Sequence, residues 1–176
     1  MNFFSFYEIE PCFFIDENLL RRKYLEYSRK YHPDFFGNDS DEKQMETLEL
    51  SSLNNEAYKT LLDFEKRFAY ILNLHGLLTD SGNKLEMPKE FLLEMMDLNE
   101  KIMELEYSKD QTSITDIQNE IEINKKNLWE AILPVLELYQ FDSISPSDLN
   151  KILDYHLKSK YIKRLEDGLN ARNPEI

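Results

Sequence analysis

Lys30-Tyr31-His32-Pro33-Asp34-Phe35-Phe36 lies between two long runs of helical periodicity. Proline pushes the residue before it out of the α region, so a helix entering this stretch stops ahead of Pro33. Upstream, Asp16 is the N-cap candidate, with Asn18 the alternative, for a helix over about 16–31. At about 100° per residue, Leu20, Tyr24, Tyr27 and Tyr31 share one face of it. Arg22, Lys23, Glu26, Arg29 and Lys30 fall on the other. Downstream, a polar loop from Asp34 to Ser40 leads into a helix over about 41–62. Its predicted buried face is Met45, Leu48, Leu53, Tyr58 and Leu61 with Leu62. Two helices of similar length joined by a short loop predict an antiparallel hairpin.

The reading extends outward from this hairpin. Residues 3–9 form a short apolar helix or turn that stops at Pro11. An amphipathic piece over 64–74 carries Phe64, Phe68, Ile71, Leu72 and Leu74, with Gly76 suited to end it. Turn formers cluster over 77–87, which predicts a linker. Beyond it, a helix from Pro88 to about Tyr107 repeats Phe91, Met95, Leu98, Ile102 and Leu105 at the spacing of a bundle seam. A second, over 114–139, presents Ile117, Ile121, Leu128, Ile132, Val135 and Tyr139, and Pro134 should kink or split it. A third runs from after Ser145-Pro146 to about Ala171 through Leu149, Leu153, Leu157 and Leu165. The expected organisation is residues 1–76 as one domain, 77–87 as linker, and 88–176 as an antiparallel three-helix bundle.

Composition supports an all-α chain. Of 176 residues only four are glycine and one is valine, whereas sheets favour β-branched residues and turn glycines. The net charge of −13 excludes a protein that lives by neutralising phosphates, so no nucleic-acid partner is expected. The single Cys12 cannot form an internal disulfide, which fits a reducing compartment. No basic residue precedes Arg21, against a signal or transit peptide, and no run approaches the ~18 apolar residues of a membrane span. The expectation is a cytoplasmic protein without membrane contact.

Taken bare, His32-Pro33-Asp34 is a helix stop with a turn-initiating aspartate. Arg21, Arg22, Lys23, Arg29 and Lys30 make either a solvated helix face or an attraction for an acidic partner. Helix 88–107 has more apolar residues than one seam needs, with Leu92, Leu93, Met96 and Met103 beyond it. They form either a wide core face against two neighbours or an exposed docking patch. His75 and His156 lack ligand partners at metal spacing, and Cys12 has no catalytic partners in view. There is no glycine-rich phosphate loop. No metal, no cofactor and no enzymatic activity are expected.

Several phrases together resemble one family. They are Phe3-Phe4-x-Phe6-Tyr7, Tyr31-His32-Pro33-Asp34-Phe35-Phe36, Asn55-x-Ala57-Tyr58-x-Thr60-Leu61, and Arg67-x-x-Tyr70-x-Leu72-x-Leu74-His75-Gly76. This set resembles a J-domain, the helical hairpin of DnaJ-type co-chaperones. Pro88-x-Glu90-Phe91-Leu92-Leu93-Glu94-Met95-Met96-Asp97-Leu98-x-Glu100 adds a second set. Together they resemble the HscB family, the J-proteins of iron–sulfur cluster assembly. The resemblance implies that His32, Pro33 and Asp34 stimulate the ATPase of a DnaK/HscA-type chaperone, with the basic face steering its approach. It also implies that Leu92, Leu93, Met96, Asp97, Glu100 and Tyr161 dock IscU, the scaffold protein on which clusters are built. Two departures stand out: Leu25 and Glu26 occupy a stretch where many J-domains are basic, and Phe35 follows Asp34 where a basic residue is common. A general J-domain co-chaperone with another client, and a helical adaptor without chaperone activity, are the competing readings.

Overall fold

The computed structural model describes residues 2–78, 87–108 and 111–172, and every regular element among them is helical. The chain divides into two compact units, Met1–Asp80 with Tyr139–Ser143, and Ser81–Leu138 with Ile144–Ile176. Most of the predicted linker, 79–86, lies outside the described residues.

The first unit opens with α1 (Phe3–Phe6), one turn closed by a reciprocal cap. The Ser5 amide donates to Asn2 Oδ1 at 2.7 Å, and the Asn2 amide to Ser5 Oγ at 3.0 Å. The helix is shorter than the predicted 3–9, because Glu8 turns the backbone left-handed (φ 53°) before Pro11 is reached. Helix α2 (Glu17–Lys30) starts where Asp16 accepts from the Asn18 and Leu19 amides at 2.9 and 3.1 Å. These bonds satisfy two donors that a helix N-terminus otherwise leaves open. A 3-10 turn spans Pro33–Phe35, and α3 (Asp41–Leu62) follows with Ser40 as its N-cap.

The buried stripe of α3 shares Leu61 with the predicted face but otherwise differs from it. Met45 is 65% and Leu48 61% exposed, while Thr47, Asn54, Ala57 and Leu61 are buried. Steps of three, four and seven put these buried residues on one stripe. Two of them are polar, so an apolar count missed the stripe. Asn54 earns no hydrophobic term but joins three segments. It accepts from the Tyr7 hydroxyl at 2.7 Å and donates to the Tyr24 carbonyl and to Ser28 Oγ at 3.2 and 3.0 Å. Tyr24 also stacks on Tyr58 at 4.1 Å, locking α2 to α3.

Asp63 ends α3 and begins α4 (Phe64–Leu74), accepting from the Lys66 amide at 3.0 Å. Arg67, one turn into α4, is buried and donates Nε to the Phe13 carbonyl at 3.1 Å. Its Nη1 donates to the carbonyls of Leu61 and Leu62, the open end of α3. A helix leaves its last four carbonyls without intrahelical partners, and this guanidinium supplies donors to two of them. Burial lowers the Arg67 pKa, with Glu17 and Asp63 partly opposing that. At the far end, Gly76 adopts φ +71° and bonds Asn73 O, while the Leu77 amide bonds Leu72 O. That pair is a Schellman closure, and it needs the left-handed residue that glycine supplies. Phe4, Phe6, Tyr7, Phe13, Leu20, Leu61, Phe68, Ile71 and Leu72 fill the core. Tyr139 belongs to this unit, edge-on to Phe13 at 4.7 Å.

The second unit consists of α5 (Lys89–Ser108), α6 (Gln111–Glu137) and α7 (Pro146–Arg172), each packed on the other two. Met95, Leu98, Ile102 and Leu105 face Ile114, Ile117 and Ile121, with Ile162, Leu165 and Leu169 closing the third side. Each such fully buried side chain contributes about 1.5–3 kcal/mol of transfer free energy. Phe91 and Leu128 pack at the margin. Leu149, Leu157 and Val135, predicted inside, are half-buried at the edges, and Ile152 and Leu136 take inner places. Pro134 does not split α6, which runs unbroken to Glu137. The proline sits in the final turn, and both it and Glu130, whose carbonyl it deprives of a helical donor, are exposed residues. Thus the described residues form an all-α fold, an N-terminal helical-hairpin unit and a C-terminal three-helix bundle.

Candidate functional sites

The hairpin loop is a built structure. Tyr31 caps α2, and His32 is extended (φ −73°, ψ 123°) as the residue before a proline must be. Pro33 starts the 3-10 turn, and the Phe35 and Phe36 amides close it on the His32 and Pro33 carbonyls at 3.1 and 3.0 Å. Gln44 of α3 reaches back to the carbonyls of Gly37 and Asp39, at 3.3 and 2.9 Å, bracing the rest of the loop.

On this frame His32 and Asp34 face water. Their side chains are 51% and 86% exposed. The Asp34 amide donates to His32 Nδ1 at 3.3 Å, so the neutral ring carries its proton on Nε2. The Asp34 carboxylate stands 3.7 Å from Nδ1, close enough to pair with a protonated ring. Phe35 tilts against the imidazole at 5.6 Å between centroids. Imidazole, carboxylate and proline present an exposed polar corner on the 3-10 turn.

The five cations read as one face do not behave alike. Arg21, Arg22 and Arg29 are exposed. Lys30 is exposed and lies over the Tyr27 and Tyr31 rings at 5.6 and 5.2 Å. Lys23 is half-buried and pairs with Glu8 at 3.0 Å, tying α2 to the N-terminal segment.

On the second unit, α5 carries two apolar stripes, and only one is core. Leu93, Met96 and Met103 are 61%, 53% and 51% exposed, whereas Leu92 is half-buried. Asp97 and Glu100 are exposed beside them. Tyr161 of α7 is half-buried and meets Phe91 edge-on at 6.1 Å. Lys158 lies over the Phe91 ring, 5.4 Å from its centroid, and pairs with Asp154 at 2.7 Å. Glu94, Asp97, Glu100, Lys101 and Glu104 line, with Glu120 of α6, a shallow groove of about 330 Å³. Lys101 bridges it to Glu120 at 2.7 Å. Of this row the sequence reading named Asp97 and Glu100 but not Glu94, Glu104 or Glu120, because glutamates recur along every helix and only their three- and four-residue spacing on α5 marks them.

The remaining singled-out groups have structural surroundings. His75 is the cap of α4, with Nε2 2.8 Å from the Tyr139 hydroxyl and its ring against Phe141 at 4.5 Å. Burial lowers its pKa. His156 is buried within α7. Cys12 is half-buried, and burial raises its pKa while nearby Arg67 lowers it. Among the described residues no group of three His, Cys, Asp or Glu could hold a metal ion, and no helix is long and apolar enough to cross a membrane.

Known proteins resemble this arrangement in both sequence and shape. Residues 87–170 match the family described as the HSCB C-terminal oligomerisation domain. The co-chaperone protein HscB homolog of Neisseria meningitidis serogroup A is 33% identical over 127 residues, covering 72% of this chain and 76% of that protein. The human iron–sulfur cluster co-chaperone protein HscB is 28% identical over 171 residues, or 97% of this chain and 68% of the relative. The crystal structure of human HscB superposes with a TM-score of 0.73 at 26% identity, covering all of this chain and 84% of that one. HscB from Vibrio cholerae, at 20% identity, shares the fold with a TM-score of 0.69 over 99% of each chain. With a relative one-third identical over most of its length and the family's C-terminal domain in place, the chain belongs to the HscB family of co-chaperones.

Proposed function

We propose that this protein stimulates ATP hydrolysis by a DnaK/HscA-type chaperone and delivers to it an IscU-type scaffold protein carrying, or about to carry, an iron–sulfur cluster. The observation that carries the reading is the exposed His32–Pro33–Asp34 corner, held by a proline-started turn next to the exposed Arg21, Arg22 and Arg29. The protein itself breaks no bond. It binds the chaperone's hydrolysing state better than its resting state, and that differential affinity alone shifts the cycle. The cationic side of α2, including Lys23 and Lys30, adds a salt-dependent attraction to an acidic surface. The bundle supplies the client site: Leu92, Leu93, Met96 and Tyr161 make an apolar contact, with Asp97 and Glu100 at its rim. Methionine and leucine at a partly exposed site suit an adaptable contact. A cytoplasmic setting and no resident cofactor accompany this reading.

The test is the ATPase rate of an HscA-type chaperone with wild-type protein and with His32→Gln, each with and without scaffold. Wild type should accelerate hydrolysis and the scaffold should add to it. His32→Gln should lose the stimulation while its circular dichroism stays helical. Equal stimulation by both proteins refutes the role of the corner. Stimulation to which the scaffold adds nothing points to a different client.

A further inference from the structure

We infer that Leu25 and Phe35 are an apolar contact inside the chaperone-docking strip, so the partner's acidic surface carries an apolar socket that this chain uses to select it. The inference rests on the chaperone reading above and specifies the partner's surface. Helical phase puts Arg21, Arg22, Leu25 and Arg29 together, at four and three residues before Leu25 and four after it. This face lies opposite buried Leu20, and all four residues are exposed, Leu25 at 45%. Leu25 therefore gives nothing to the core of its own unit.

Two helical turns, about 10 Å along the axis, separate Leu25 from His32, where the loop begins. Within that loop Phe35 is 74% exposed, the most exposed large apolar side chain of the first unit's helices and turns. A leucine ringed by arginines and an outward phenylalanine beside the recognition corner match the anatomy of a protein-docking patch, apolar at the centre and charged at the rim. Charge complementarity identifies the occupant as protein with an acidic rim. A phosphate polymer offers no apolar socket for Leu25 and Phe35, and the chain's net charge of −13 with exposed Glu26 opposes a uniformly anionic surface more than a protein whose acidic groups are confined to a rim. The arginine attraction is screened beyond about 8 Å at physiological salt, whereas apolar burial is not, so the two contributions separate by salt dependence.

The experiment uses the full chain and an HscA-type chaperone from the same genome. It reads the half-maximal concentration and the plateau of ATPase stimulation at low and at physiological salt. The variants are Leu25→Gln, Phe35→Gln, their combination, Arg22→Gln, and Met45→Gln as an apolar control on α3 whose exposure lies between those of Leu25 and Phe35; circular dichroism checks folding. The combined variant should raise the half-maximal concentration about tenfold at both salts with the plateau kept, consistent with truncating an apolar anchor. Arg22→Gln should lose affinity chiefly at low salt, and Met45→Gln should match wild type. An unchanged half-maximal concentration in the combined variant overturns the inference. So does an equal loss with Met45→Gln, or a fall in plateau alone, which would make Phe35 a prop for His32. Pelleting of the wild type with phosphatidylglycerol vesicles, abolished by Leu25→Gln while stimulation is unaffected, also overturns it. A wild type that stimulates no chaperone refutes the proposed function itself.

Discussion

His32 and Asp34 are presented by geometry that other residues make, and the residues that do the making are open to direct test. Arg67 is the clearest case. Its guanidinium is buried and donates to Phe13, Leu61 and Leu62 carbonyls. Replacing it with alanine leaves the buried Phe13 and Leu61 carbonyls unpaired, at about 1–3 kcal/mol for each group that water cannot reach, and frees the partly buried Leu62 carbonyl. Arg67→Ala should lower the thermal midpoint by well over 5 °C in a melt followed by circular dichroism. His75 offers a pH test. Burial lowers its pKa from the ordinary 6.5, so the folded chain resists a proton that the unfolded chain accepts. Where the unfolded state binds more protons, stability rises with pH. This contribution is therefore complete above about pH 6.5 and is lost as pH falls from 6.5 towards the lowered value. Thermal melts of wild type and His75→Gln at neutral and mildly acidic pH should show the smaller acid-induced drop in the variant. Arg67 was legible as part of a family phrase, and Asn54 not at all. A lone polar residue at a core position looks like a surface residue until its partners are known.

Among the elements, those with strong termini followed the sequence closely. Asp16, Ser40 and Asp63 cap α2, α3 and α4, because an oxygen one residue ahead of a helix reaches its open amides. Gly76 closes α4 at φ +71°, and a Cβ there would meet nothing within 4 Å. Gly76→Ala should therefore cost only the left-handed backbone penalty, about 1–2 kcal/mol, measurable as a shift of the urea midpoint with unchanged slope. The partly misassigned face of α3 has a physical cause. Met45 and Leu48 are apolar but point away from α2, and the packed stripe runs through Thr47, Asn54 and Ala57, small or polar groups that allow a close approach. Pro134 is tolerated because it falls in the last turn of α6, where it and Glu130, whose helical donor is missing, are both exposed residues.

At the scale of the molecule, two units bear two separate surfaces. The corner and its arginines lie on the first, and the Leu93–Met96 face lies on the second. Separate surfaces should fail separately. Leu93→Asp with Met96→Asp should abolish scaffold binding in a calorimetric titration and leave scaffold-independent ATPase stimulation near the wild-type level. His32→Gln should do the reverse. Both positions are more than half exposed, so the acidic replacements cost the fold little. Loss of both activities in either variant would mean that the surfaces are not independent.

Composition, caps, the proline and the apolar spacing by themselves determined an all-helical chain, its helix order and nearly every boundary, because those signals act within a few residues of where they are written. They also placed the exposed His32–Pro33–Asp34 corner, since proline restricts its own neighbours wherever it stands. Only the tertiary structure decided which of two apolar stripes on α5 is core, which side of α3 packs, and that Lys23 is pinned by Glu8 while three arginines stay exposed. Periodicity tells which side chains lie on the same side of a helix. Which side is dry depends on the helix that arrives from elsewhere in the chain.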